Sequence, residues 1–227
     1  MEKEERDTPI KVDKLFIDIG ATSKDEVEML GIELGTSISI HSTFEHLLGD
    51  KVSGKALDDR AGVAAMIEVM KKIKTTATVY GVASVQEEVG MRGARTAAFK
   101  LNPDVCFVLD TTIPCDDPSM SPKDGVIALG KGPVITIMDG ATIIPKRMLR
   151  FIEKKAKETD IKIQKELSAN GGCTNAAIVH MIREGVLTGM VSLPVRYLHS
   201  PVETMSLADY EDTVELVTRM VDDIEEL

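Results

Sequence analysis

Five residues of this sequence have types and spacing that could do hydrolytic chemistry: Asp58, Glu87, Glu88, Asp110 and His199. Asp58 stands in Ala56-Leu57-Asp58-Asp59-Arg60-Ala61-Gly62, at the start of a helical pattern, where carboxylates are favoured by the helix dipole and the free N–H groups. It reads either as a cap or as a carboxylate bridging two cations, with Gly62 allowing close packing beside it. Glu87 and Glu88 follow an apolar run that reads as a strand over 78–85; neighbouring strand residues point to opposite sides, so one can ligate a metal while the other faces a substrate water. Asp110 closes the run Val105–Leu109, and Thr111 and Thr112 beside it can hydrogen-bond a carboxylate and hold its rotamer. His199 lies between Pro194 and Pro201, in a loop. Taken singly, each has a plain explanation: a cap, a solvated acidic turn, a strand-end Asp, a surface His.

Together they form an oxygen-rich set completed by imidazole, which suits zinc, cobalt or manganese better than a thiolate-seeking metal. Two cations clamp and acidify a water, and a non-ligating carboxylate beside them takes its proton and passes it to the leaving amine. Glu87 fits that general-base role. His41, His46 and His180 are weaker candidates, the first two because they fall in a small N-terminal module and the third because it falls in a helix.

The elements that would position these residues alternate. Helix-period apolar residues run through Ala64, Ile67 and Met70, and helices are expected around 95–99, over 146–157 and 175–183, and at the terminus over 207–224. Strands are expected over 78–85, 105–109, 161–165 and 187–193. Strands separated by helices predict an α/β fold, a mostly parallel sheet between helix layers. Ligands in such sheets gather beyond the carboxyl ends of strands, and Glu87-Glu88, Asp110 and His199 all map there. Residues 1–52 read as a partial β-rich module, with strands at 15–19 and 36–41 and a helix opened by a Ser23/Glu26 capping box and closed at Gly31; residues 53–227 read as the catalytic domain.

The formal net charge of -10 argues against nucleic acid or an anionic membrane as partner. With no tryptophan and 4% aromatic residues, sugar- or base-stacking platforms are not expected either. Three cysteines form no paired framework, the charged start at residues 1–6 leads into no apolar run, and no stretch is long enough to span a bilayer, so a cytoplasmic protein is expected. Gly130-Lys131-Gly132-Pro133 reads as a turn, not a phosphate loop.

The motifs Ala56–Gly62, Gln86-Glu87-Glu88-Val89-Gly90-Met91-Arg92-Gly93-Ala94, Val108-Leu109-Asp110-Thr111 and Arg196-Tyr197-Leu198-His199-Ser200-Pro201-Val202-Glu203 stand in the order found in the tetrahedral aminopeptidases, which this chain resembles across nearly its whole length. That family includes glutamyl and deblocking aminopeptidases and proteins historically labelled endoglucanase M. The resemblance implies that Asp58 bridges two metals, zinc or cobalt, that Glu88 and His199 complete one site, that Asp110 belongs to the other, and that Glu87 is the base. It also implies short peptides as substrates and assembly into homo-oligomers, from dimers to dodecamers, through the β-rich module.

Two features depart from the family pattern. Relatives carry a His-x-Asp motif upstream of the inserted module, which these 227 residues do not contain. With Asp58 and Asp110 alone at the second position, at most one tightly held metal per chain is expected. Gly171-Gly172-Cys173-Thr174-Asn175 replaces the family's Gly-Thr-Asp, and Asn175 reads equally as a helix cap or as an uncharged orienting group. Two rival functions follow. One is a truncated, catalytically impaired paralogue that assembles or binds peptides; the other is a glycosidase, disfavoured because Glu87 and Glu88 are neighbours rather than opposed across a scissile bond.

Overall fold

The computed structural model describes residues 11–121, 125–168 and 171–227; the charged start at 1–6 lies outside them. The chain forms two compact units, 1–40 and 41–227.

In the smaller unit a 3-10 turn at Val12–Lys14 is followed by helix α1, Lys24–Met29. Ser23 Oγ accepts the Glu26 N–H as expected, but the Glu26 carboxylate reaches back one residue further, to the Thr22 N–H at 2.7 Å. No strand forms among the described residues of this unit. The segments 15–19 and 36–41 carry strand-like alternation, yet Ile38 and Ile40 stay exposed and unpaired, because alternation makes a strand only where a second edge is present.

The larger unit holds two sheets. The first is antiparallel and joins β1 (Glu45–His46), β2 (Lys51–Gly54) and β7 (Glu203–Ser206) in that order. The second has the order β3-β6-β4-β5, formed by Val105–Thr112, Leu187–Pro194, Val134–Met138 and Gln164–Leu167. β3 with β6 and β4 with β5 are parallel, whereas β6 with β4 is antiparallel, so the mostly parallel sheet contains one reversed junction. The run Val-Cys-Phe-Val-Leu in β3 has no polar alternation because helices cover both of its faces.

Those helices are α2 (Leu57–Lys72), α3 (Arg92–Leu101), α4 (Lys146–Glu158), the single turn α5 (Ala176–Val179) and α6 (Leu207–Asp222). On the face where Phe107 stacks on Phe151 and Gly189 meets Met148, α4 packs with α6, and α6 with α2. On the other face Ala94 and Ala98 of α3 pack on Val179 beside Cys106. Among the described residues one ammonium is fully buried, that of Lys155, held by Asp223 at 2.8 Å and Glu158 at 3.0 Å.

Four sequence expectations differ from this architecture, the first being the strand expected over 161–165, which lies instead at Gln164–Leu167 because Ile161–Ile163 remain outside the ladder with β4. The helix expected over 175–183 is shorter because turns take over after Val179. β4 was not anticipated. The apolar segment 78–85 is extended but joins no sheet among the described residues. The Gly130–Pro133 loop is a turn as read, and its Gly130 and Gly132 N–H groups are both taken by Asp209 at 2.7 Å, so neither glycine is free to cradle a phosphate.

Candidate active site

Asp58 and Asp59 do not sit in a regular first helical turn. Their backbone angles are non-helical, a cis peptide bond joins them, and Ala56 before them is left-handed, so both carboxylates project from a break at the head of α2. The capping role falls to Asp59, whose Oδ1 accepts the Gly62 N–H at 3.0 Å. A Cβ at position 62 would lie 2.2 Å from that oxygen, which is why glycine stands there.

Glu87 and Glu88 stand on a tight turn rather than a strand. The Met91 N–H closes on the Glu87 carbonyl and the Gly93 N–H on the Val85 carbonyl, at 2.8 and 2.9 Å. A Cβ on Gly93 would come within 2.5 Å of the Val85 main chain, so only glycine lets the turn close. The two carboxylates therefore diverge through turn geometry, not through strand alternation. Glu88 reaches His199, with 3.4 Å between Oε2 and Nε2. Burial, then the charges of Glu88 and Asp58, raises the pKa of Glu87 above its ordinary value, while His199 works in the other direction.

Asp110 is buried at the end of β3. Its pKa is pushed up to about 7, by burial first and then by Asp58, Glu87 and Glu88, against the hydrogen bond from the Thr111 main-chain N–H. The threonine side chains do not hold it as expected: the Thr112 hydroxyl donates to Glu166 at 2.8 Å. Asp59 is pushed further, to about 9, by burial and then by Asp110.

His199 lies in the loop between β6 and β7 with a left-handed backbone, φ 61°. This conformation is costly for a non-glycine residue and needs support. Glu203, 2% exposed, supplies it: Oε1 accepts the His199 N–H at 2.9 Å, while Oε2 accepts the Asp58 N–H at 3.0 Å. One carboxylate thus ties together the main chains of two candidate ligands.

The side chains gather into two adjoining groups. Asp58, Glu88 and His199 bring one ligand atom each within 4.8 Å of one another, with Asp58 Oδ2 and His199 Nε2 3.1 Å apart. Asp58, Asp59 and Asp110 do the same. Asp58 belongs to both. Three carboxylates packed this closely, two of them resisting ionisation, are a donor set that suits a cation, and imidazole beside them suits a borderline one. A third acidic group, Glu158, Asp223 and Glu226, is already served by the Lys155 ammonium.

Sequence reasoning named neither Asp59 nor Glu203 as a functional residue. The signal for Asp59 was its position three residues before Gly62, whereas Glu203, which opens the strand Glu-Thr-Met-Ser, carries no comparable local signal. Asn175 makes no cap bond; its Nδ2 donates to Ser84 Oγ at 3.1 Å, and its buried Oδ1 has no partner.

Known proteins show the same arrangement of chain. The lysyl aminopeptidase of Pyrococcus furiosus is 35% identical over 230 residues, which cover 99% of this chain and 64% of that one. A putative aminopeptidase of Acetivibrio thermocellus is 36% identical over 213 residues, 93% of this chain and 63% of its own. Among solved structures, an aminopeptidase from the archaeon Desulfurococcus kamchatkensis superposes with a TM-score of 0.93 at 34% identity, covering 98% of this chain and 63% of that one. A Pyrococcus horikoshii TET peptidase, which can assemble into a tetrahedron or a large octahedral shell, gives a TM-score of 0.73 at 33% identity. The chain therefore spans less than two thirds of the length of these relatives. No helix among the described residues is long and apolar enough to cross a membrane. Residues 1–216 match the M42 glutamyl aminopeptidase family, and this chain belongs to it.

Proposed function

We propose that this chain carries the catalytic residues of a metal-dependent aminopeptidase that removes N-terminal residues from short peptides. The carrying observation is the sharing of Asp58 between two ligand-bearing groups, with Glu87 beside them and in neither. In this reading Asp58, Glu88 and His199 hold one cation, and Asp110, with Asp59 and the shared Asp58, forms the weaker position. Zinc or cobalt suits the first group, and a cation bound there polarises a peptide carbonyl and lowers the pKa of water.

Glu87 takes a proton from the attacking water and delivers it to the leaving amine nitrogen. Burial and the neighbouring carboxylates raise its pKa above the ordinary value, a shift in the direction that suits a group that must accept a proton and then return it. Glu203 keeps Asp58 and His199 in register. The surrounding cavity, about 800 Å³, is lined in part by apolar residues of α2 and of α3, which leaves room for substrate side chains. The chain acts as a homo-oligomer in the cytoplasm, with residues 1–52 as part of the assembly module and 53–227 carrying the chemistry.

The test is hydrolysis of lysyl and glutamyl p-nitroanilides with added zinc or cobalt, beside N-acetylated versions and a β-glucan. Release from the free amine substrates alone supports the reading; glucan cleavage without amide hydrolysis overturns it. A second reading is a catalytically impaired assembly or peptide-binding protein. Stoichiometric zinc binding with no turnover would select it.

A further inference from the structure

β3 and β6 run side by side from Val105 opposite Leu187 to Thr112 opposite Pro194, and the last main-chain rung between them is the Val195 N–H on the Thr112 carbonyl at 2.9 Å. Beyond that rung each strand turns to other company. Past β3, the Cys115 N–H bonds the Ile127 carbonyl at 2.8 Å. Past β6, Arg196 and Thr204 exchange main-chain bonds at 2.9 and 3.1 Å, which closes a loop over residues 197–203. The two chains that part here carry different candidate ligands: Asp110 closes β3 in the three-aspartate group, and His199 rides on the loop in the other group.

A side-chain contact spans the divide. Arg196 Nε and Nη2 donate to the two oxygens of Asp116, both at 2.7 Å, and Asp116 Oδ2 also accepts the Leu129 N–H at 2.9 Å. Burial works against ionisation of Asp116, but the bonds from Arg196 and Leu129 outweigh it and hold the carboxyl below its ordinary value. Asp116 stands six residues past Asp110, and Arg196 three before His199. Both side chains remain within reach of water, where ion pairs contribute little to global stability. What a two-bonded fork supplies is geometry, because the planar guanidinium fixes the distance and angle to the carboxylate.

Geometry is what the loop needs. Tyr197 and His199 both have left-handed backbones, φ 59° and 61°, a conformation that persists only where the surroundings over-determine it. Leu198 packs on the cluster that includes Val52 and Val195, Glu203 accepts the His199 N–H, and the Ser42 hydroxyl donates to the Pro201 carbonyl at 2.8 Å. The fork adds the tie to the β3 side.

We propose that the Asp116–Arg196 fork is a positioning device for the candidate active site, fixing His199 relative to Asp110 so that the two ligand groups sharing Asp58 keep one spacing. This rests on the ligand assignment of the aminopeptidase reading, and the two residues act through His199 rather than on substrate.

Asp116→Asn removes the charge and one acceptor; Arg196→Lys keeps the charge and removes the fork. The control is Asp223→Asn, which breaks ion pairs to Lys155 and Arg219, both outside the loop. Amide hydrogen exchange in chelator is read at His199, with Val191 in the middle of β6 reporting global opening. Both fork variants are expected to speed exchange at His199 by about tenfold or more while Val191 stays near the parent rate. They should also weaken zinc, measured by competition with a chromogenic chelator, by about 10–100-fold. Asp223→Asn is expected to lower the urea midpoint and to leave His199 exchange and zinc affinity at parent values. Fork variants whose His199 exchanges as in the parent overturn the proposal, and so does an Arg196→Lys chain that matches the parent in both readouts. Faster exchange with parent zinc affinity, or a control that shifts His199 as much as the fork variants do, would overturn it too. A parent chain that binds no zinc counts against the metal-dependent reading, whereas the exchange comparison, made without metal, still decides this proposal.

Discussion

Replacing Glu203 by glutamine isolates the contribution of the carboxylate that ties Asp58 to His199. Its two oxygens accept separate main-chain N–H bonds at 3.0 and 2.9 Å in a buried position. An amide of the same shape keeps one acceptor oxygen and turns its NH₂ group toward the other N–H. One bond to a charged group is lost, about 1.5–3 kcal/mol, and a buried donor is left facing a donor, about 1–3 kcal/mol more. The folded chain should therefore lose about 2.5–6 kcal/mol in urea denaturation. A purely structural role would end there. If Glu203 positions the ligands, zinc affinity measured by competition with a chromogenic chelator should also fall, by about 10–100-fold, as for partners of other metal ligands. The loss should be greatest for zinc, which draws on His199, and smaller for a cation that uses the three aspartates. A folded Glu203→Gln chain with unchanged zinc affinity would refute the argument, because Asp58 and His199 would then be held in place by something else.

Glu87→Gln should reduce amide hydrolysis by about 10²–10⁴-fold while zinc binding and stability stay near those of the parent; near-normal turnover would reassign the base. Asp58→Asn should release zinc measured by elemental analysis after dialysis, because a residue shared by both groups is replaced by one offering a single neutral oxygen; unchanged stoichiometry would remove Asp58 from the site. The parent chain should retain at most one zinc after dialysis, since only the Asp58–Glu88–His199 group includes an imidazole, and two retained ions would show the aspartate group to be a tight site in its own right. In chelator, the Asp59 and Asp110 carboxyls, pushed up to about 9 and about 7, stabilise the fold below about pH 4, where they are protonated folded or unfolded, relative to higher pH. That contribution is lost as pH rises through those folded values, so the urea midpoint should fall between pH 5 and 9, Asp59→Asn should flatten the fall, and zinc should remove it. A midpoint that rises over this range in chelator would refute the assignment.

Helices were legible wherever a 3.6-residue apolar period runs long enough to define a face, as in Leu57–Lys72 and Lys146–Glu158. β3 was legible for the opposite reason, a run with no polar interruption that only a strand covered on both faces can use. The segment 78–85 carries the same kind of run and yet pairs with nothing among the described residues. Strand-like composition makes a strand only where an edge is at hand to pair with it. β4 escaped notice because Val134–Met138 follows directly on Gly130-Lys131-Gly132-Pro133, whose glycines and proline dominate the local reading.

The candidate ligands were legible because carboxylates at the ends of apolar runs are conspicuous, but what holds them together is a long-range property that no local pattern carries. Asp58 and Glu203 are 145 residues apart in sequence. Their contact follows from the β2–β7 ladder, in which Gly54 stands opposite Glu203 and Val52 opposite Met205. Four residues after Gly54 the chain reaches Asp58, within reach of the Glu203 carboxylate. Slipping that ladder by one residue would turn Glu203 to the other face of the sheet, away from Asp58 and His199. Val52, fully buried, and Met205 prevent the slip because both would lose their apolar surroundings at once. The apolar packing of a four-residue strand thus sets the position of a carboxylate, and that carboxylate ties together the main chains of two candidate ligands.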